Sequence, residues 1–251
     1  MHMHRRSRLD PPGRWRRWRR WWCIAGATCL AGLLAAGAAN HVDKDITPDD
    51  RAALARIGVT AGPAPSSYAE ELRRIGDIQH RVLQVVRVSN ATPPPGHAVE
   101  PDELLRRGHG ACFEISRALE KGFALNGLQS RRVFHLYRQD RSLLSALWTR
   151  GHPSHATVEV HTRKGWLLVD SIVPWMALDK QGDPVPASGV WNHLDRFDAT
   201  PPEHLVLSSW ALRGLYSRNG RLYGATFPAP EVNWADFSRW LLMPDESRQL
   251  Y

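Results

Sequence analysis

Cysteine is scarce in this chain: three residues in 251, two of which, Cys23 and Cys29, lie in an N-terminal apolar stretch. Cys112 stands alone in the rest of the sequence, so there is no disulfide framework and no cysteine pair for a zinc centre. Also missing are internal repeats, low-complexity domains, a calcium-binding loop and any cofactor motif. Neither a solenoid nor a cofactor-dependent enzyme is therefore indicated. An excess of charge of one sign is also missing from the body of the chain. The formal net charge is +8, but eight arginines between Arg5 and Arg20, set against Asp10, put +7 of it in the first twenty residues. The remainder of the chain is near neutral, and a nucleic-acid partner loses its electrostatic basis.

The chain opens with a membrane signal. The basic flank, residues 1–20, abuts Trp21-Trp22-Cys23-Ile24 and an uncharged run ending at Ala39. A helix over 21–39 would span roughly 28 Å, close to the hydrocarbon thickness of a bilayer. Arginines on the N-terminal side keep that end in the cytoplasm, and Trp15, Trp18, Trp21 and Trp22 suit the interface. The expectation is a single-pass anchor in the cytoplasmic membrane with the domain on its periplasmic or extracellular side. If the small-x-small site Ala36-Gly37-Ala38 is cleaved, the protein is secreted instead.

Residues 40–65 read as a linker with one short helix. Thr47 is its N-cap, Pro48 its first residue, Asp49 and Asp50 lie near its positive end, and Gly58 is its stop. Gly62-Pro63-Ala64-Pro65 closes the linker, and one domain is expected over 66–251, with its core in 66–175. Ser67 and Glu70 form a capping-box pattern for a helix to about Val88, with Leu72, Ile75, Ile78 (or Gln79), Val82 and Val86 as its apolar stripe. Pro93-Pro94-Pro95-Gly96 bars regular structure between 90 and 101, and a short helical turn comes next, over 102–107. Residues 112–126 carry Ile115, Ala118, Leu119, Gly122 and Leu125 at helical spacing, with Gly127 placed to end the helix. Residues 132–137, 154–161 and 166–173 read as strands, the last two joined as a hairpin through Thr162-Arg163-Lys164-Gly165. Arg131-Arg132 reads as a solvated strand edge plus one structural arginine. Further helices are expected from Pro201 to about Tyr216 and from Pro228 to Met243. The fold class is α+β: a helix packed on a small antiparallel sheet, with a C-terminal helical extension.

The chemistry centres on Cys112, reached through Gly108-His109-Gly110-Ala111. A thiol attacks as thiolate, and its free pKa is about 8.5. A helix N-terminus lowers that value and also turns the Cys112 N–H toward a developing oxyanion. A neighbouring imidazolium is the second device. His155 opens one alternating run and Asp170 closes another. If His161 faces Trp166 across the hairpin, Thr157 falls opposite Asp170 and His155 opposite Ile172. Asp170 is then the diagonal neighbour of His155 on one face, whereas a one-residue slip would turn it away. Cys112 as nucleophile, His155 as general base and acid and Asp170 as the orienting carboxylate make a candidate triad. His152, His155 and His161 invite a metal reading, but no cysteine pair or convergent spacing accompanies them, and no metal or cofactor is expected.

Taken in order, these pieces resemble the transglutaminase-like superfamily, relatives of the papain-like cysteine peptidases. They are Gly110-Ala111-Cys112, Gly127 with Arg132-Val133, His155-Ala156-Thr157-Val158-Glu159-Val160 and Gly165-Trp166-Leu167-Leu168-Val169-Asp170. The resemblance implies a papain-like/transglutaminase-like core with Cys112, His155 and Asp170 in the three roles above. It implies attack on an amide to give a thioester, then hydrolysis or transamidation: a cysteine-dependent amidohydrolase or acyltransferase. It also implies a second oxyanion donor from elsewhere in the chain, with Gln84 and Asn90 as positions to inspect. The expected partner is a peptide, protein or cell-envelope amide. The alternative is a catalytically inactive transglutaminase-like domain serving as an anchored binding or assembly module.

Overall fold

The arginine-flanked apolar stretch forms one long helix, Gly13–Ala39 (α1), in a unit of its own, Met1–His41. Among the described residues no helix is long and apolar enough to cross a membrane. The span expected over 21–39 therefore has no support in the structure. Alanine and glycine fill much of that stretch, which keeps it uncharged without making it strongly hydrophobic. The computed structural model describes residues 13–91, 99–137, 142–149, 151–191, 194–218, 220 and 230–242.

The second unit, Val42–Tyr251, begins inside the expected linker. Residues 42–65 pack into the fold, with Val42, Ala53, Leu54 and Val59 buried. Pro48–Arg56 (α2) starts as its caps predict: Asp50 N–H donates to the Thr47 hydroxyl, and Thr47 N–H to the Asp50 carboxylate. Gly58 comes just after it at φ +79°. Charge ties this segment down. Buried Asp50 pairs with buried Lys121, which also meets Glu100, while Arg117 bridges Glu100 and Glu120. Tyr216 donates its hydroxyl to Glu120 at 2.7 Å. Burial pushes the Glu100 carboxyl up, but Arg117 and Lys121 more than offset this and hold it at about 2. Removing one member of a buried network strands the others, at a cost of about 3–5 kcal/mol. Lys121→Met is expected to lower the unfolding free energy by that amount in urea at pH 7; a loss below about 1 kcal/mol, the worth of an exposed pair, would contradict a buried role.

Tyr68–Val85 (α3) is capped by Ser67, which accepts the Glu70 N–H. Glu70 does not close the box on Ser67; its carboxylate takes the Ser66 N–H and hydroxyl instead, both at 2.8 Å. The helix stops short of Val88 because Arg87–Val88 (β1) pairs in parallel with His109–Gly110 (β2). The Pro93–Gly96 core lies outside the described residues. Pro101–Arg107 (α4) ends at Gly108, φ +68°, and Cys112–Leu125 (α5) comes after β2.

The main sheet comprises Ser130–Tyr137 (β3), Ser154–Thr162 (β4), Gly165–Val169 (β5) and Ser208–Arg213 (β6), all antiparallel, in the order β5-β4-β3-β6. Leu143–Trp148 (α6) lies between β3 and β4 in the chain. Period-2 alternation gives the sheet two apolar faces. Val158, Val160, Leu167 and Val169 meet α3 and α5 through Ile75, Ile115, Leu119 and Phe123. Val133, Leu168 and Ala211 on the other face are covered by Ala177, Val185, Val190 and Leu205. The segment after β5 thus covers the back of the sheet with Ala177, Val185, Val190 and Leu205, while its Ile172, Met176 and Leu178 pack on the helix side.

The helix expected over 201–216 is replaced by one turn, Glu203–Val206 (α7), then β6 and Leu215–Ser217 (β7). Gly214, φ +79°, separates the strands, and a Cβ there would lie 2.4 Å from the Phe237 nitrogen. A short apolar run such as Trp210-Ala211-Leu212 fits either period; pairing with β3, some seventy residues earlier, decides it. Glu231–Val232 (β8) pairs with β7. Among the described residues the last expected helix, Pro228 to Met243, is realised only as Trp234–Leu241 (α8), capped by Asn233, because β8 takes the residues before it. The C-terminal extension is therefore not purely helical: β6 completes the sheet.

Candidate active site

Cys112 is the first residue of α5, and the chain before it leaves little alternative. Gly108 ends α4 in the left-handed region. Gly110 sits where a Cβ would lie 2.5 Å from Leu104 and 2.8 Å from the Glu114 carboxylate, so a larger residue would displace the approach. Glu114 accepts the Ala111 N–H, and Arg107 holds the same carboxylate. The entry is fixed by an ion-paired acid three residues into the helix. The Cys112 N–H, at the first helical position, has no intrahelical acceptor and stays available at the positive end of the helix dipole.

The hairpin register brings the other two candidates to the same place. His161 pairs with Trp166 and Val158 with Val169, the alignment that sets Thr157 opposite Asp170. The turn is tighter than expected: Thr162 and Gly165 are themselves paired, leaving two loop residues. His155 Nε2 donates to Asp170 Oδ2 at 3.0 Å, with the two side chains 3% and 0% exposed. The Cys112 sulfur lies close enough to His155 and to the Ala156 N–H for both to act on it as hydrogen-bond partners. With Nε2 engaged by Asp170, Nδ1 is the nitrogen left for sulfur. The Cys112 residue itself is only partly buried.

The electrostatics run in opposite directions for the two partners. Burial pushes the Cys112 thiol up, yet the His155 hydrogen bond and charge, the Ala156 N–H and Arg132 together bring it below its ordinary value. Burial pushes His155 down, but the bonds from Asp170 and Cys112 raise it to about 9. Asp170 is pushed up by burial and pulled further down by His155, His204 and the Ile172 N–H, so it stays ionised. A lowered thiol beside a raised imidazole favours thiolate–imidazolium over the neutral pair.

Three further side chains complete the cluster. His204 Nε2 donates to the same Asp170 Oδ2 at 2.8 Å and lies edge-on to His155 with ring centroids 4.4 Å apart. His135 stacks at 6.1 Å from His155 and bonds Thr157 Oγ1 at 2.7 Å. Burial, reinforced by the His155 charge, lowers His135 to about 3 and keeps it neutral. Gln79 donates to the carbonyls of Asp170, Val173 and Trp175, clamping the turn after β5. His204 gives no signal in the sequence because it meets Asp170 only through a contact between residues thirty-four apart. His135 falls opposite His155 once β3 is aligned with β4, and that register is the clue that points to it. Of the two positions considered for an oxyanion donor, Gln84 bonds exposed His80 at 2.7 Å, and nothing in the structure singles out Asn90.

The histidines expected to compete as metal ligands do not converge. His152 Nε2 bonds the Tyr137 carbonyl, and His161 lies against Trp166. His155, Asp170 and His204 do offer three ligand atoms within 4.8 Å. Both imidazoles donate to one carboxylate oxygen.

Residues 59–171 match the family model of the transglutaminase-like superfamily. A search of the curated proteins found no match. The matched segment starts before Ser66, in keeping with the packing of Val59, and ends just after Asp170. It takes in the helix, the hairpin and all three candidate residues, and leaves His204 outside. Residues 59–171, a little under half of the chain, are thus similar to the transglutaminase-like superfamily.

Proposed function

We propose that this protein is a cysteine-dependent enzyme that performs acyl transfer from an amide through Cys112, His155 and Asp170. The observation that carries the reading is the meeting of the three groups, with His155 Nε2 bonded to Asp170 Oδ2 at 3.0 Å and the Cys112 sulfur against the same imidazole. The thiolate attacks the amide carbon, forming a C–S bond as the carbonyl π pair moves to oxygen. The Cys112 N–H receives that oxyanion. Tyr137, half-buried and raised to about 12 by burial and by the charges of Cys112 and Asp170, keeps its O–H and is the candidate second donor. Collapse breaks the C–N bond as His155 Nδ1 protonates the leaving amine. Water or a second amine, deprotonated by His155, then attacks the thioester and returns sulfur as thiolate. Asp170 holds the ring and its Nε2–H throughout.

The arginine block ahead of an uncharged stretch supports a domain outside the cytoplasmic membrane, where the amides to hand are peptides, proteins and cell-envelope components. The test is trapping. Full-length protein treated with an activated ester should acquire one hydroxylamine-labile acyl group on Cys112, found by mass spectrometry of the digest and absent in His155→Ala. A protein that takes up no acyl group at Cys112 would instead be a binding or assembly module.

A further inference from the structure

At the far end of the strands, Arg131 lines a cavity of about 410 Å³ together with Lys44, Arg213, Arg239, Trp166 and Asp236. The Arg131–Glu159 pair lies four residues along β4 from His155, about 13 Å at strand rise, so this cavity is not the Cys112 cleft. Arginine at a strand edge ordinarily waves in solvent. Here its side chain is 15% exposed, with Nε bonded to fully buried Glu159 at 2.6 Å and the guanidinium 3.7 Å above the Trp166 ring. Among the described residues its two terminal amino groups have no protein acceptor. Arg213 grips the same Glu159 with two bonds, at 3.0 and 3.2 Å. Lys44 and Arg239 share Asp236 at 2.8 and 3.3 Å, and Lys44 also reaches buried Glu120 at 3.7 Å. Among the described residues, four cations and one carboxylate, Asp236, thus line the cavity, with Glu159 and Glu120 behind its wall.

We propose that this cavity is a second binding site, for a small ligand bearing a carboxylate or phosphate group. The Arg131 fork receives the anion, and Arg213, Lys44 and Arg239 supply the remaining positive field. The fork is preorganised: Glu159 fixes Nε and Trp166 fixes the plane, so little rotamer freedom is left to lose on binding. Burial pushes Glu159 up, but Arg213 and Arg131 hold it at about 2, and the anchor keeps its charge at any working pH. The site is independent of the acyl chemistry and stands or falls without it.

Titration calorimetry on the full chain at low ionic strength, with citrate as the carboxylate probe and pyrophosphate as the phosphate probe, tests this. One saturable site is expected for at least one probe, and the tighter probe identifies the group. Arg131→Gln should weaken it at least about tenfold, because a bidentate charged contact is lost. Should Arg131→Gln fail to fold, the double variant Lys44→Met/Arg239→Gln decides, with an expected several-fold loss. Arg73→Gln, a charge on α3, should leave affinity unchanged. No saturable binding of either probe would overturn the proposal, as would a loss in Arg73→Gln equal to that in the double variant.

Discussion

His155→Ala is expected to slow alkylation of Cys112 by iodoacetamide at pH 6 by roughly 10- to 100-fold, with little change at pH 10. The comparison is made in full-length Cys23→Ser/Cys29→Ser protein so that one thiol reports. An isolated thiol, with a free pKa of about 8.5, is only about 0.3% thiolate at pH 6. Lowering the thiol's pKa raises the thiolate fraction there, but a less basic thiolate is a weaker nucleophile, and part of the gain is given back. The charged pair exists above the lowered Cys112 value and below about 9, where His155 loses its proton. Alkylation of the unaltered protein should therefore plateau through neutral pH. Turnover needs His155 as an acid, so it should fall as pH rises through about 9. A rate that tracks an ordinary thiol titration in both proteins would refute the pairing.

Asp170→Asn is expected to reduce the same low-pH alkylation nearly as far as His155→Ala, although it removes no ring and little volume. The Asn carbonyl oxygen can still accept the Ile172 and Val173 N–H bonds, at 2.7 and 3.0 Å, so the turn survives. The buried charge that raises His155 is lost. Without it, desolvation is the larger influence on the imidazole and pushes its pKa down, so the neutral thiol–imidazole pair returns. The measurement is the pH profile of alkylation together with the unfolding midpoint. A stable variant with an unchanged acid limb would show that Asp170 serves only the fold.

The two effects differ in how far the sequence announces them. Cys112 is legible because glycines at 108 and 110 and a run of helical spacing fix its position locally. Asp170 is legible because strand alternation and a short hairpin determine register: once His161 faces Trp166, Asp170 must sit beside His155. The features that escape depend on contacts distant in sequence. Residues 208–213 become a strand only because β3 offers an edge, and His204 enters the site only through its contact with Asp170, thirty-four residues away. Arg131 reads as solvated surface, since nothing local reveals that Glu159 and Trp166 enclose it. The linker reading fails for the same reason: Asp50 looks like a helix-starting acid, and its partner Lys121 lies seventy-one residues away.

The most direct test of the ion pair is a titration of the Cys112 thiolate by its ultraviolet absorbance, in Cys23→Ser/Cys29→Ser protein with a Cys112→Ala blank. The predicted result is a sulfur that ionises below the free thiol's value of about 8.5 and returns toward that value or above it in His155→Ala. A thiol that ionises at that value or higher with His155 and Asp170 intact would contradict it.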